Sequence, residues 1–351
     1  VKGIQFFGKK TLSGLDLGYD WTKVVRLQPK RSAVVLERVS RRCLTAEDRK
    51  NDGTLSSSLK AMFNDLELRD RSVVTSLAGH SVIIKHIDAP IPAKPKKKKI
   101  DITDLASQNI PFDIKDVFID YHIAGPGASD NTQNIMLVAS KKSMVVELQK
   151  TIGNAGMGTM IVDVDGFALN NCFEYNYPEH QSEAVYLLDI GGIQSIFCVH
   201  ADQYPAFIRD AAFGGQHISK RLSSVLDIKH HEAENLKMNG FQHLDLKMRR
   251  KINQELDDIF STWAEEIQRL IHFYRNTKGA DHTISTLYLS GGGSLIPGLA
   301  ESLAAFLGVE VNYLDPWKEI SVSDNQFDHQ YLQSCGPQFC VATGLALRTV
   351  L

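Results

Sequence analysis

The chain has 351 residues, 43% of them hydrophobic and 23% charged, with a formal net charge of −2; its pI is near 6.7 and its mean hydropathy −0.17. That length predicts two domains or one large bilobed one, with a core that needs neither disulfides nor metals. Near-neutral charge argues against a dedicated nucleic-acid binder, and no apolar run approaches the roughly 18–20 residues of a membrane span.

Val1–Lys10 carries Phe6 and Phe7 but no long apolar stretch or small-residue cleavage site, so no signal peptide is expected. Ser13–Leu27 reads as an apolar strand, a Gly-centred turn and a second strand. Ser56–Leu66 has helical spacing, with Leu59, Met62, Phe63 and Leu66 on one face. Ser72–Leu77 and Ser81–Ile87 read as strands. The low-complexity stretch Lys94-Pro95-Lys96-Lys97-Lys98-Lys99 follows, read as a solvated loop or as a contact for an acidic partner or anionic headgroups. Asp116–Ile123 and Gln133–Ala139 alternate like an antiparallel pair joined by the turn-rich Gly125–Asn131. A helix is predicted from Ser143, as its N-cap, to about Ile152. Met160–Val164 is predicted as a buried strand and Phe167–Tyr175 as a helix. Val185–His200 repeats the strand–turn–strand pattern of the N-terminus. The longest helix is predicted over Ile252–Asn276, whose apolar positions step by three or four from Ile252 to Tyr274. Thr286–Ser290 (strand), Gly291-Gly292-Gly293 (turn), Pro297–Leu307 (helix closed by Gly308), Val309–Leu314 (strand) and Phe339–Val350 (helix) complete the pattern. The five cysteines are odd in number and scattered, mostly in apolar strings, which suits buried thiols in a reducing compartment.

An internal echo is the most informative feature. Leu15-Asp16-Leu17-Gly18-Tyr19-Asp20-Trp21-Thr22 recurs in kind as Leu188-Asp189-Ile190-Gly191-Gly192-Ile193-Gln194-Ser195. Each copy is an apolar strand ending in Asp-apolar-Gly, a tight turn and another apolar strand, about half a chain apart, which implies two related lobes. Successive backbone N–H groups in such a turn can converge on a phosphate. An aspartate at the strand end can hold hydrated Mg²⁺ between phosphates. Two facing hairpins would clamp a nucleotide's terminal phosphates. The third element, Leu287–Ser290 followed by Gly291-Gly292-Gly293, lets backbone approach a flat ring or a ribose. Cys335 and Cys340 lack a second pair for zinc, and the adjacent His230 and His231 would point to different helix faces.

Two Asp-x-Gly hairpins, the Gly-Gly-Gly turn and the terminal Ala342-Thr343-Gly344-Leu345-Ala346-Leu347 resemble the actin-like ATPase superfamily of actin, heat-shock chaperones, sugar kinases and FtsA. Further strings are similar to the PilM family of type IV pilus assembly proteins. They are Ile110-Pro111-Phe112, Val162–Asn171 with Phe173-Glu174, Phe213–Ile218, His231–Lys237, and Glu265–Arg269 with Phe273-Tyr274, which span most of the chain in the family's order. The resemblance implies an α/β, bilobed actin-like fold of two duplicated ribonuclease-H-like domains around a central nucleotide cleft. It places an N-terminal lobe at 10–158, with an inserted partner-docking subdomain at about 79–140, and a C-terminal lobe at 159–351, with a nucleotide-capping subdomain at about 214–270.

By position, Asp16, Gly18, Asp20, Thr22 and Lys23 match the first phosphate motif, and Asp189, Gly191, Gly192 and Gln194 the second. Gly291, Gly292 and Gly293 match the adenosine motif, and Gly214, Gly215, Glu234 and Lys237 fall where relatives hold ribose and adenine. Asp16 and Asp189 are the implied Mg²⁺ side, through water, with Asp163 and Asp165 as weaker candidates. The implied cofactors are ATP and Mg²⁺. The implied partners are the N-terminal cytoplasmic segment of PilN and the pilus motor ATPases. The implied location is cytoplasmic, at the inner membrane only through partners, with homo-oligomerisation left open. Turnover is expected to be slow or absent. A small-molecule kinase, an FtsA-like filament protein and a type II secretion adaptor are the alternatives; no string for a kinase's substrate cleft or general base is recognisable. Two features depart from the family pattern. The first hairpin carries Tyr19, Asp20 and Trp21 where relatives are rich in Ser and Thr, and Asp20 adds negative charge where phosphates would lie. The Lys-rich loop stands where relatives carry an acidic, amphipathic helix.

Overall fold

The computed structural model describes residues 11–350 apart from 32, 92–101, 181–182, 202–203, 279–283 and 349. The Lys94–Lys99 stretch lies outside the described residues. The chain opens with β1 (Ser13–Leu17) and β2 (Trp21–Pro29), an antiparallel hairpin pairing Leu17 with Thr22, and β3 (Val34–Cys43) pairs antiparallel with β2. Helix α1 (Asp52–Asp65) starts where the Asn51 side chain accepts from the Gly53 N–H at 2.8 Å, and it buries Leu59, Met62 and Phe63. Strand β4 (Ser72–Leu77) pairs parallel with β1.

An insertion then leaves this sheet. It comprises β5 (Val82–Pro90), α2 (Ile102–Asn109), β6 (Val117–Pro126) and β7 (Thr132–Lys141), which form a separate three-stranded sheet in the order β5-β7-β6. Ala106 and Ile110 pack with Leu137 and Ala139, so α2 covers one face of it. The chain returns through α3 (Lys142–Asn154) to β8 (Gly158–Val164), parallel to β4, and on to α4 (Asp165–Asn176).

The second half repeats the first. Strands β9 (Val185–Ile190) and β10 (Ser195–Ala201) form the second hairpin and β11 (Tyr204–Ala211) its antiparallel neighbour. Helices α5 (Gly215–Leu226), α6 (His230–Asn239) and α7 (Leu246–Lys278) intervene before β12 (Thr286–Ser290), α8 (Leu299–Leu307) and β13 (Glu310–Tyr313). The sheet order β11-β10-β9-β12-β13 reproduces β3-β2-β1-β4-β8 strand for strand. Even the irregularities recur: β2 shifts register at Arg26/Leu27 and β10 at Val199/His200. The echo in the sequence is therefore a duplicated topology. The apolar stripe of α7, including Ile252, Phe260, Trp263 and Ile271, lies in one core with Leu188, Phe197 and Leu289. Trp263 stacks on Phe213 with ring centroids 4.8 Å apart.

After β13 the chain crosses back. Short β14 (Ile320–Ser321) pairs with β3, and α9 (His329–Cys335) and α10 (Cys340–Leu347) follow. Trp317, Leu332, Phe339 and Ala342 share a core with Val25, Leu27 and Leu36 of the first sheet, so the terminal segment packs on the N-terminal half although it follows position 159 in sequence. Helices α10 and α4 cross so closely that a Cβ at Gly344 would overlap the Ala168 carbonyl oxygen.

Several local expectations are corrected. Lys141, not Ser143, is the N-cap residue of α3, and it makes no side-chain cap bond. Strand β8 is only half-buried, with Met160 49% exposed, because it is the last strand of its sheet. The glycine triplet runs into a 3₁₀ turn (Gly292–Leu295), so α8 begins at Leu299 rather than Pro297. Gly308 closes α8 with φ +66°, the left-handed position that glycine adopts without a steric penalty. Cys172, Cys198, Cys335 and Cys340 are buried free thiols, while Cys43 is exposed. Among the described residues no helix is long and apolar enough to cross a membrane.

Candidate functional site

The two hairpins meet at a cleft of about 400 Å³, within the range of small-molecule sites. Both turns are tight for the same reason. A Cβ at Gly18 would lie 2.8 Å from the Trp21 carbonyl oxygen, and one at Gly191 2.7 Å from that of Gln194. At these matched positions the strand folds back so closely that only hydrogen fits.

Carboxylates gather at the cleft floor. Lys23 Nζ pairs with Asp16 Oδ2 at 2.9 Å, with the two side chains only 13% and 10% exposed. Burial alone would lower the Lys23 pKa, but the charge and hydrogen bond of Asp16 and the charges of Asp189 and Asp165 hold it above the ordinary lysine value. Burial pushes Asp165 up to about 7, reinforced by the Asp16 and Asp189 charges and opposed by a hydrogen bond with Ser76 and by Lys23. Burial likewise pushes Asp189 up to about 6, against the pull of Lys23 and of a 2.8 Å hydrogen bond donated by Ser290 Oγ. Three carboxylates around one ammonium leave an excess of buried negative charge, an environment that favours a further cation.

On the second lobe, Gly214 N-caps α5, whose Gly215 N–H donates to the Gly191 carbonyl at 3.0 Å. Lys237 bridges Glu234 Oε1 (2.9 Å) and the Gly215 carbonyl (3.1 Å), tying α6 to the start of α5. Gly292 and Gly293 line the opposite wall. Glycine at 291 holds φ +80°, and a Cβ there would overlap the Ile190 carbonyl oxygen, so the glycine turn packs directly on the second hairpin.

The model of the family described as type IV pilus assembly protein PilM matches residues 14–350. The chain belongs to the PilM family of type IV pilus assembly proteins. A solved structure described as a PilM–PilN type IV pilus biogenesis complex matches with a TM-score of 0.84 at 24% identity, covering 98% of this chain and 100% of that one. The ethanolamine utilization protein EutJ of Carboxydothermus hydrogenoformans matches at TM-score 0.55 and 15% identity, over 97% of this chain and 90% of that one. MreB5 of Spiroplasma citri, bound to ADP, matches at TM-score 0.52 and 11% identity, over 95% and 94%. With these neighbours the two duplicated sheets are the halves of a bilobed actin-like fold.

In this PilM-family chain the cleft brings together Asp16, Gly18, Asp20, Lys23, Asp189, Gly191, Gly192, Gln194, Gly215, Glu234, Lys237, Gly292 and Gly293 from the sequence-derived set. Thr22 does not join them: it is fully buried within β2 and absent from the cleft lining. Gly214 and Gly291 act from behind, as the α5 cap and the turn packed on β9. The two weaker carboxylates separate. Asp165, at the start of α4, lines the cleft; Asp163 is buried elsewhere and pairs with Arg348 Nε at 3.0 Å. Asp20 is not aimed at its own turn but crosses to the other lobe, where its Oδ1 accepts from Gln216 Nε2 at 2.9 Å. The rings of the first hairpin rest on arginines, Tyr19 under Arg49 and Trp21 under Arg41, each guanidinium 5.0 Å from the ring centroid. Sequence reasoning missed Arg41, Gln338 and Met238, which line the cleft from β3, the turn before α10 and α6. Arg41 is fixed by Tyr331 and Gln338, nearly the whole chain away, and no local pattern signals that.

A smaller cavity of about 260 Å³ adjoins the cleft, sharing Ala78, Asp165 and Ile196 with it. It lies between the root of the inserted sheet (Gly79–Ile84) and β11 (Ile208–Asp210).

Proposed function

We propose that this chain is a nucleotide-binding scaffold of the type IV pilus inner-membrane assembly complex. It binds ATP with Mg²⁺ in the cleft, docks the N-terminal cytoplasmic segment of PilN beside the inserted subdomain at about 79–140, and links that complex to the motor ATPases from the cytoplasmic side. The observation that carries the nucleotide reading is the pair of facing Asp-x-Gly hairpins with the Gly292-Gly293 wall beside them.

The residues fit the cofactor. The turns at Gly18 and Gly192 are of the kind whose backbone N–H groups cradle phosphates, and the Gly191 N–H closes the second turn on the Gln194 carbonyl at 3.1 Å. Lys23 supplies an ammonium at their base, and Glu234 and Lys237 border the nucleoside side. The raised pKa values of Asp165 and Asp189 mark a place where a cation relieves buried repulsion. Among the described residues no three His, Cys, Asp or Glu side chains stand close enough to hold a metal by themselves. Mg²⁺ held here therefore draws on water and phosphate oxygens, as this ion prefers; when bound it would neutralise the phosphate charge beside Asp16 and Asp189.

PilN docking is supported by the PilM–PilN likeness and by the recess at the root of the inserted sheet. The second hairpin reaches that root: a Cβ at Gly79 would lie 2.8 Å from Gln194 Oε1, so the Gln194 side chain rests against it. Isothermal titration calorimetry with Mg-ATP tests the nucleotide reading. Saturable one-to-one binding, lost in Gly191→Val, is the expected result; no heat in the wild-type protein would refute it.

A further inference from the structure

Asp20 is the residue that least suits a phosphate hairpin, yet the structure gives it a defined partner set. Its Oδ2 lies so close over the second hairpin that a Cβ at Gly192 would overlap it. Its Oδ1 accepts from Gln216 Nε2 at 2.9 Å, a bond spanning 196 residues of sequence and both lobes. Gln216 is itself held from behind. Its Oε1 accepts from His230 Nε2 at 2.8 Å, and its Nε2 also donates to Glu234 Oε1 at 3.0 Å. Glu234 is paired with Lys237, which is anchored on the Gly215 carbonyl. The compensating charge on the first lobe is Arg49, whose Nη1 stands 3.6 Å from Asp20 Oδ1.

We propose that Asp20 is a resident anion of the cleft: its carboxylate takes the space over Gly192 that a nucleotide phosphate takes, and through Gln216 it fastens the first hairpin to α5 and α6 until nucleotide expels it. This rests on the reading of the cleft as a nucleotide site. Carboxylate and phosphate oxygens are both pure acceptors, so the Gln216 amide hydrogen that Asp20 takes serves one or the other. Two such anions within about 4 Å also repel. Entry of phosphate therefore displaces Asp20 and breaks its bond to Gln216, which stays held by His230 and Glu234, while Arg49 keeps its bond to the Leu44 carbonyl.

The test compares the full chain with its Asp20→Ser and Gln216→Ala variants, each first checked for an unchanged circular dichroism spectrum and melting profile. Mg-ATP affinity is measured by calorimetry, and amide hydrogen exchange in α5 and α6 is measured without nucleotide. Asp20→Ser is expected to bind Mg-ATP at least tenfold more tightly and to exchange faster in α6. Gln216→Ala is expected to show the faster exchange with a smaller gain in affinity. An Asp20→Ser affinity within twofold of wild type, or unchanged exchange in α6, overturns the proposal. Failure of every protein to bind Mg-ATP is a separate failure, that of the nucleotide reading; faster α6 exchange in Asp20→Ser would then still support the tie between the lobes, and unchanged exchange would remove it.

Discussion

Replacing Lys23 with methionine keeps the length of the side chain and removes the ammonium that Asp16, Asp165 and Asp189 share. The Lys23 and Asp16 side chains are 13% and 10% exposed, so water cannot take over the lost charge. Removing one member of such a buried pair costs about 3–5 kcal/mol. With an unfolding entropy near ~2.1 cal/mol/K per residue, a chain of 351 residues loses roughly 4–7 °C of melting temperature for that cost. The loss depends on pH. Asp165 and Asp189 hold their protons up to about 7 and about 6 in the folded protein, above the carboxylate range of an unfolded chain. The folded state therefore binds more protons across that window, and stability falls as pH rises through it. Without Lys23 opposing them both carboxylates shift further upward, so Lys23→Met is expected to be milder at pH 6 than at pH 8. Differential scanning calorimetry of both proteins at the two pH values, without nucleotide or Mg²⁺, decides the matter. An equal loss at both pH values, or no loss at all, would refute the shared-ammonium argument.

Other changes follow from single contacts. Gly344→Ala drives a methyl group into the Ala168 carbonyl where α10 crosses α4 and is expected to cost roughly 3 kcal/mol, read as a lower denaturant midpoint. Arg348→Ala leaves Asp163 buried without its 3.0 Å partner; Arg348 is itself 33% exposed, so about 1–2 kcal/mol is expected at pH 7. Because burial raises the Asp163 pKa and Arg348 pulls it down, that loss should shrink as pH falls and Asp163 takes up a proton. Asn51→Ala removes the cap of α1 and should cost about 1 kcal/mol, seen by thermal melting with no change in Mg-ATP affinity.

The duplicated core of the fold was readable because two constraints coincide in each copy. A strand must end in a residue that turns on a hydrogen atom, and an aspartate must precede it by two positions; Gly18 with Asp16 and Gly191 with Asp189 satisfy both. The long amphipathic helix was readable for the usual reason, an apolar residue every third or fourth position from Ile252 to Tyr274. What could not be read depends on partners far along the chain. Strand β3 is rich in arginines, which argue locally against a core strand, but they are absorbed by Leu66, Asp65, Tyr331 and Gln338 elsewhere in the fold. Nothing in the apolar pattern of the last thirty or so residues says which sheet they join, and they join the first. Asp20 is the clearest case. Spacing alone aims its charge at the phosphates, and only the folded second lobe shows that Gln216 holds it. Thr22 misled for the opposite reason, since strand alternation in β2 turns it into the core, away from the cleft.

The most direct measurement titrates a labelled peptide of the PilN N-terminal segment into the purified chain by fluorescence anisotropy, with and without Mg-ATP. Saturable binding that a scrambled peptide does not reproduce, with an affinity that shifts when Mg-ATP is added, is the predicted result. Absence of specific binding in both conditions would contradict the scaffold reading, and binding indifferent to Mg-ATP would contradict the coupling of the cleft to the inserted sheet through Gln194 and Gly79.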